Sequence, residues 1–231
     1  MKRIYLLALL IAVASANLAV DINDLYLSHK TFRCLKNQNV SKVILELSNE
    51  RGHINQHFLS HFIYAKHAGI STIDAIVIVN DTLTANSLSA KVADTLPNNF
   101  NGTVWLRVMN SPHLWSRKMA LRIFYLGDLV TSFRQRDLNV GISGDAATWE
   151  SVFGFKRAGC DTLKAVPVGY ACDNSAQSFD DFSSAGFGTW TQPALKSFQN
   201  NAHICGTRVA SLDYYQGVKL DWMIFMNGKI R

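Results

Sequence analysis

The chain has 231 residues, of which 48% are hydrophobic and 17% are charged, and its formal net charge is +6. This composition indicates a globular protein with a packed core, and the length favours one large domain over two. The basic residues are scattered and form no run, which argues against nucleic-acid binding. The absence of repeats and of biased composition argues against a purely structural or storage role.

The first 16 residues have the pattern of a secretory signal peptide. Lys2 and Arg3 supply a positive end, residues 4–14 form an apolar run, and the run ends in a small-residue Ala-Ser-Ala cleavage site. We expect cleavage after Ala16, which lowers the formal net charge from +6 to +4 and leaves a single secreted or luminal domain over 17–231. No segment reaches the about 20 apolar residues that a membrane-spanning helix needs, so we expect no membrane span.

Apolar segments alternate with segments of helical spacing along most of the chain. We predict strands over 18–22, 43–47, 73–79, 104–109 and 140–142, and helices over 32–36, 58–68, 83–96, 119–133 and 146–153. Continuous apolar strands between helices are typical of a parallel sheet that helices cover. The later part is less regular, with a Gly-, Ser- and Phe-rich loop over 178–190 and strands over 165–171, 195–198 and 209–212. The predicted fold class is therefore α/β, a modified (βα)₈ TIM-like barrel with an irregular C-terminal half.

Four cysteines, an even number, are typical of a protein from an oxidising compartment. Two disulfides are possible and all three pairings stay open, while the spacing does not resemble a zinc site. The four are Cys34, Cys160, Cys172 and Cys205. Three Asn-x-Ser/Thr sequons are candidates for glycosylation on the secretory route, at Asn39, Asn80 and Asn101.

Four histidines recur on or just before the second predicted helix, at His53, His57, His61 and His67. A metal site is one interpretation of this spacing, but no acidic or cysteine ligand stands beside them in the sequence. We interpret them as a solvated helix face, and we predict neither a metal nor a cofactor.

Eight segments follow one another in a recognisable order: VDIN (20–23), TFRCLK (31–36), YAKHAGI (64–70), VWLRVMNSPHLW (104–115), GISGDAATWESVFG (141–154), VPVGYACD (166–173), SFDDFSSAGFGTWTQPALKSF (178–198) and CGTRVASLDYY (205–215). In order and spacing they resemble the secreted animal and protist lysozymes of glycoside hydrolase family 25. The resemblance covers essentially the whole mature chain. It implies a modified (βα)₈ barrel, a muramidase ancestry that cleaves the bond after N-acetylmuramic acid, and a role in defence against bacteria or in digesting them.

The resemblance also implies where the active centre would lie. The family gathers an Asp from the first strand, an Asp-x-Glu pair from the fourth and an Asp from the last strand. Position by position, the first is retained as Asp21, the pair falls on Arg107 and Met109, and the last Asp falls near Ser211, or on Ala210 if a one-residue insertion is placed differently.

Two further family positions differ in the same region. A family Arg on the second strand falls on Glu46, and a sugar-stacking Trp on the sixth strand falls on Gly169. The weaker candidates for glycan contact are Asp21, Glu46, Tyr170, Asp173 and Trp190. Core packing is the alternative for Tyr170 and Trp190, and a role in a solvated loop is the alternative for Asp173.

Glycoside hydrolysis normally needs one protonated carboxylic acid and one carboxylate. Neither Arg107 nor Met109 can act as the acid, because arginine stays protonated and methionine has no proton to give. We therefore predict a lysozyme-like protein of innate defence, a monomer without muramidase activity, that acts by binding bacterial peptidoglycan or a related glycan, or in signalling. The alternative is an active peptidoglycan hydrolase, an N-acetylmuramidase, in which Glu46, Asp173 or Asp213 replaces the lost pair.

Overall fold

The computed structural model describes residues 17–24 and 26–215. The predicted signal peptide and the last part of the predicted domain, residues 216–231, lie outside the described residues. The strands are β1 (Asn17–Ile22), β2 (Val40–Ser48), β3 (Thr72–Ile78), β4 (Thr103–Arg107), β5 (Asn139–Gly144), β6 (Val168–Ala171), β7 (Leu195–Asn200), β8 (His203–Ile204), β9 (Thr207–Arg208) and β10 (Ser211–Tyr215). The helices are α1 (His29–Asn37), α2 (Phe58–His67), α3 (Ala85–Thr95), α4 (Met119–Arg134), α5 (Ala146–Phe153), α6 (Asp161–Lys164) and α7 (Phe182–Ala185).

Eight of these strands form one closed barrel, in the order β1-β10-β7-β6-β5-β4-β3-β2. The seven strands from β1 to β7 run parallel to their neighbours among themselves, whereas β10 is antiparallel to both β7 and β1. The predicted fold class is confirmed. The reversed strand has a simple cause: β7 is joined to β10 through the short β8–β9 hairpin, and a parallel return would need a longer crossover.

Burial on both sides of the strands explains their continuous apolar sequence. In β2, Val43, Leu45 and Leu47 are buried in the large core that also contains the inner sides of the helices, while Ile44 belongs to a separate cluster inside the barrel. Successive side chains of a strand point to opposite sides of the sheet, so a barrel covered by helices accepts apolar residues at almost every position.

A small apolar layer closes the interior of the barrel. Ile44, Ile76, Trp105 and Leu195 form this layer. The Trp105 indole needs a glycine beside it, because a Cβ at Gly141 would lie 2.6 Å from the ring. A packed layer at this level leaves free space only towards the carboxyl ends of the parallel strands, as in other α/β barrels.

Beneath this layer a buried carboxylate connects three strands. Asp74 in β3 lies 2.9 Å from the Lys42 ammonium and accepts hydrogen bonds of 2.9 Å from the Trp105 indole N–H and from the Thr103 backbone N–H. The carboxylate is 1% exposed and has partners for both oxygens, so it joins β2, β3 and β4 at the amino end of the barrel.

Several predicted boundaries need correction. The strand predicted over 165–171 begins only at Val168, because α6 precedes it, and the last strand is Ser211–Tyr215 rather than 209–212. The third helix begins at Ala85 rather than at 83, since the Thr84 hydroxyl caps it by accepting a hydrogen bond from the Ser87 N–H at 3.1 Å. The predicted loop over 178–190 contains the short helix α7.

The spacing in the longest helix, α4, predicts one shared face for Leu121, Phe124, Tyr125, Leu129 and Phe133. Tyr125, Leu129 and Phe133 are buried, but Leu121 and Phe124 are 51% and 59% exposed. The α4 sequence is apolar on more than one side, so its spacing alone does not show which side faces the barrel.

One of the two possible disulfides is formed. Cys34 in α1 is bonded to Cys205, which lies in the turn between β8 and β9. Cys160 and Cys172 are free thiols within the described structure. The bond therefore connects the first helix to the hairpin that precedes the last barrel strand.

Burial distinguishes the three sequons. Asn39 and Asn101 are exposed, whereas Asn80 is 6% exposed, donates a hydrogen bond of 3.2 Å to the Glu50 carbonyl and accepts one from Thr82. A folded protein offers no room for a glycan on such an amide, so Asn80 is not a suitable acceptor. In the described part of the chain, no helix has both the length and the apolar character needed to cross a membrane.

Candidate functional site

A cavity of about 380 Å³ lies where the parallel strands of the barrel end. All eight barrel strands contribute to its wall, and in α/β barrels the functional groups lie at these carboxyl ends. The wall includes seven of the residues singled out from the sequence, which are Asp21, Arg107, Met109, Gly169, Tyr170, Ala210 and Ser211. The structure therefore brings together the positions that the family resemblance placed in an active centre.

An ion pair spans the floor of this cavity. The Arg107 guanidinium in β4 donates a hydrogen bond to Oδ2 of Asp21 in β1. Burial alone would lower the pKa of Arg107, but the carboxylates of Asp21, Asp213 and Glu46 reverse this effect and raise its pKa. Arg107 therefore remains a cation, and the carboxylate retained from the family site is held in an ion pair.

Asp213 lies on the last strand, on the same side as the cavity-lining Ser211. It is 1% exposed, and its Oδ1 accepts a hydrogen bond of 2.7 Å from the Ser211 hydroxyl. Burial and the nearby charge of Asp21 raise its pKa to about 7, against the opposing effects of Ser197, Ser211 and Arg107. Near neutral pH this carboxyl is thus divided between its acid and its carboxylate forms.

Glu46 in β2 is half-buried and belongs to the same electrostatic group. Burial and the charge of Asp21 raise its pKa to about 7, while Arg107 lowers it. Neither Glu46 nor Asp213 is among the residues that line the cavity. Both carboxyls influence the charge at the floor of the cavity without forming its surface.

Three buried polar atoms of this region have no hydrogen-bond partner among the described residues: Asp21 Oδ1, Ser143 Oγ and Asp213 Oδ2. Asp21 and Ser143 line the cavity. An unpaired buried polar group costs about 1–3 kcal/mol, and a bound ligand with hydroxyl or amide groups would supply partners. The floor is therefore suited to a polar, hydroxyl-bearing ligand.

The strand that carries Arg107 ends there, and Met109 follows in an extended loop. Met109 is half-buried at the cavity wall, and its carbonyl accepts a hydrogen bond of 2.8 Å from the Trp115 indole N–H. Its thioether offers no proton. The two positions of the family's acidic pair thus present a cation and an apolar sulfur to the cavity.

The other candidate residues lie in three different places: the cavity wall, the core and the surface. Tyr170 lines the cavity, with its hydroxyl bonded to Asp181 at 2.5 Å. Trp190 lies instead in the core, where it packs against Trp149 and donates to the Val166 carbonyl at 2.8 Å. Asp173 is exposed and lies away from the cavity wall. Of the alternatives considered for these residues, core packing applies to Trp190 and a loop position to Asp173.

Sequence reasoning missed several residues of the wall, including Ser143, Asp145 and Ser197. It also missed Lys196, which is fully buried and pairs with Asp181 at 3.0 Å beside the Tyr170 ring. The sequence could have indicated Ser143 and Asp145, because they stand one and three residues after the end of the predicted strand 140–142. The Lys196–Asp181 pair joins β7 to the segment before α7 and was not visible from local spacing.

The histidines do not form a uniform solvated face. His61 is 3% exposed, and its Nε2 accepts a hydrogen bond of 3.3 Å from the Leu27 N–H, so this interpretation was wrong for His61. Burial and the nearby His57 lower the pKa of His61, which favours its neutral form. Within residues 17–24 and 26–215, no group of three or more His, Cys, Asp or Glu side chains could hold a metal ion.

The closed barrel with a polar cavity at its strand ends has the architecture of an α/β barrel whose candidate site lies where such sites usually do. The chain belongs to the lysozyme-like protein 1 family, whose model matches residues 12–198. It is similar to the probable GH family 25 lysozyme 4 of Dictyostelium discoideum, with 26% identity over 178 residues, covering 76% of this chain and 80% of that protein.

Solved structures show the same fold. A family GH25 lysozyme from Aspergillus fumigatus matches with a TM-score of 0.69 and 13% identity, covering 89% of this chain and 96% of the other. The modular autolysin LytC of Streptococcus pneumoniae, in complex with a synthetic peptidoglycan ligand, matches with a TM-score of 0.63 and 14% identity. That match covers 87% of this chain and 47% of the autolysin. The family resemblance predicted from the sequence is confirmed.

Proposed function

We propose that this protein is a secreted, glycan-binding member of the family that has lost muramidase activity. The observation that carries the proposal is the ion pair between Arg107 and Asp21 in the cavity. The permanently charged guanidinium of Arg107 occupies a position where the family resemblance implies a carboxylic acid. The retained carboxylate is paired with that cation instead of being free to act on a substrate.

The chemistry of hydrolysis argues for this proposal. General acid catalysis contributes about 10²- to 10⁴-fold to a rate, and neither Arg107 nor Met109 can supply it. The transition state of glycoside cleavage is also positively charged, so the guanidinium of Arg107 would destabilise it. A cavity with these groups is better suited to holding a glycan than to cutting it.

The proposed ligand is the glycan of bacterial peptidoglycan, or a related glycan. Unpaired acceptors at Asp21 and Ser143 match the hydroxyl and amide groups of such a chain. The peptidoglycan ligand of the pneumococcal autolysin supports the same choice by analogy of fold. We further propose secretion, from the signal-peptide pattern and the disulfide, and a role in innate defence or signalling, from the family resemblance.

The test is to mix purified protein with insoluble peptidoglycan and to measure co-sedimentation together with soluble reducing ends. We expect binding without new reducing ends. The variant Ser143→Leu, which fills the cavity, should bind at least about tenfold more weakly, while Ser87→Leu on the exposed side of α3 should bind normally. Equal binding by both variants would mean that the glycan is held elsewhere.

A second candidate function is an active hydrolase that uses a substitute carboxyl group. It is favoured by the pKa of about 7 at both Asp213 and Glu46, since a general acid works best near the pH of its surroundings. If the unmodified protein releases reducing ends above a heat-denatured control, Asp213→Asn and Glu46→Gln identify the acid. Loss of release in one of these variants, with peptidoglycan binding retained, would establish this second function.

A further inference from the structure

Four large apolar side chains are exposed around the start of α4 and the end of α5. Met119, Leu121, Phe124 and Phe155 are 46%, 51%, 59% and 61% exposed. The two segments touch, because a Cβ at Gly154 would lie 2.9 Å from the Met119 sulfur. We call these four side chains and the cations of the same two segments the α4–α5 patch.

The cations of the patch are Arg117, Lys118, Arg122, Lys156 and Arg157. Arg122 connects the two segments by donating a hydrogen bond of 3.1 Å to the Val152 carbonyl. Residues 111–127 and 151–160 contain no acidic residue. The patch is thus positively charged as well as apolar.

The neighbouring acids do not neutralise this charge at the surface. Asp81 is 3% exposed, and its oxygens accept hydrogen bonds from the Ser116 N–H and hydroxyl and from the Arg117 N–H. Asp128, one helical turn after Phe124, and Glu150 are exposed beside the patch. Five cations therefore stand against two exposed carboxylates, and the net charge of the patch remains positive.

The cations also stand at an unfavourable end of a helix. The amino terminus of α4 carries the positive end of the helix dipole, and its first turn has no acidic residue while Lys118 occupies the N-cap. Positive side chains at this end of α4 lower the stability of the helix unless an anion binds beside them. This arrangement favours a partner with many negative charges.

We propose that the α4–α5 patch docks the protein on an anionic lipid membrane surface. Cations meet the lipid phosphates, and the exposed apolar side chains enter the boundary between headgroups and acyl chains. A second copy of the chain is a poor occupant, because two such positive patches would repel each other. Of the residues that form the patch, none lines the glycan cavity, so the two surfaces can be tested separately.

The experiment measures co-sedimentation of the purified protein with vesicles of phosphatidylcholine, alone or mixed in equal parts with phosphatidylglycerol. We expect at least tenfold stronger binding to the mixed vesicles, weakened by salt. The variant Lys118→Gln/Arg157→Gln should bind about 30-fold more weakly, from roughly fivefold for each cation near an anionic surface. Phe124→Ser/Phe155→Ser should bind at least about tenfold more weakly.

Two matched controls carry the same changes elsewhere. Leu59→Ser/Ile63→Ser removes exposed apolar side chains from α2, and Arg33→Gln/Lys36→Gln removes exposed cations from α1. Both should bind within about twofold of the unmodified protein. Equal losses in the controls, or no preference for phosphatidylglycerol, would overturn the proposal. A dimer in sedimentation velocity that Phe124→Ser/Phe155→Ser dissociates would assign the patch to a second copy instead.

Discussion

Arg107 on the fourth strand and Asp21 on the first are joined by a hydrogen-bonded ion pair at the floor of the cavity. The two strands are separated by β2 and β3, so the side chains meet across the interior of the curved sheet. Asp21 is 1% exposed; its Oδ2 accepts from Arg107, and its Oδ1 has no hydrogen-bond partner among the described residues. The pair thus makes each member dependent on the other.

Removal of the cation alone should therefore destabilise the fold. Arg107→Met leaves a buried carboxylate without its partner, which costs about 3 kcal/mol. The double variant Arg107→Met/Asp21→Asn should recover more than half of this loss, because neither charge is then buried. Denaturant unfolding at neutral pH measures both values. Strictly additive losses would contradict the coupling between the two side chains.

Restoring the acidic pair tests whether the cavity is otherwise competent. In Arg107→Asp/Met109→Glu both family carboxyls return to the cavity wall, and we expect release of reducing ends from peptidoglycan at least about 100-fold above the unmodified protein. Met109→Glu alone is the matched control and should remain inactive, because Arg107 still pairs with Asp21 and repels the developing positive charge. Inactivity of the double variant, if it is folded and binds glycan, would show that further positions were lost.

The buried carboxyl of Asp213 should make stability depend on pH. Its pKa of about 7 in the folded protein lies above the ordinary value of 3.8, so between about pH 4 and pH 7 the folded state holds a proton that the unfolded chain has lost. The free energy of unfolding must then fall as pH rises through this window, and Glu46 acts in the same direction.

The variant Asp213→Asn measures this contribution. We expect a smaller decline in unfolding free energy between about pH 4.5 and pH 7, by on the order of 2 kcal/mol. Asp173→Asn, at an exposed position, is the control and should leave the decline unchanged. An identical slope in Asp213→Asn and the unmodified protein would mean that this carboxyl is ionised throughout.

The single disulfide should contribute more to stability than the free thiols. Cys34 and Cys205 are 171 residues apart, so their bond restricts the unfolded chain over most of its length. We expect Cys34→Ser/Cys205→Ser to lose about 2–5 kcal/mol in denaturant unfolding. Cys160→Ser and Cys172→Ser should each lose less than about 1 kcal/mol. Equal losses in both sets would contradict the assigned pairing.

The barrel could be predicted because its signal is local. In β2, four of the five residues over 43–47 are apolar, and the Asp145 cap marks a helix start that the spacing already indicated. The position of Arg107 and Met109 was predictable too, since Trp105 and Trp115 bracket them in a resembling segment. Local pattern and family order together were enough for the fold class and for placing Arg107 and Met109 at and just beyond the end of the fourth strand.

The rest depended on contacts between distant segments. The last strand was placed two residues early, and the structure sets Asp21 opposite Ser211, which brings Asp213 into the barrel interior. No local pattern identifies the partner of Lys196 or decides which face of α4 is covered. Such choices are made by packing between elements, and a single sequence does not display them.

The antiparallel strand β10 joins the beginning and the end of the described chain, with Asn17 opposite Tyr215. During synthesis, β1 gains its second neighbour only when Ser211–Tyr215 has been made. A chain that stops before Ser211 leaves β1 and β7 as two unprotected sheet edges, and open edges are templates for pairing between molecules. The last strand thus protects the protein against aggregation as well as completing its cavity.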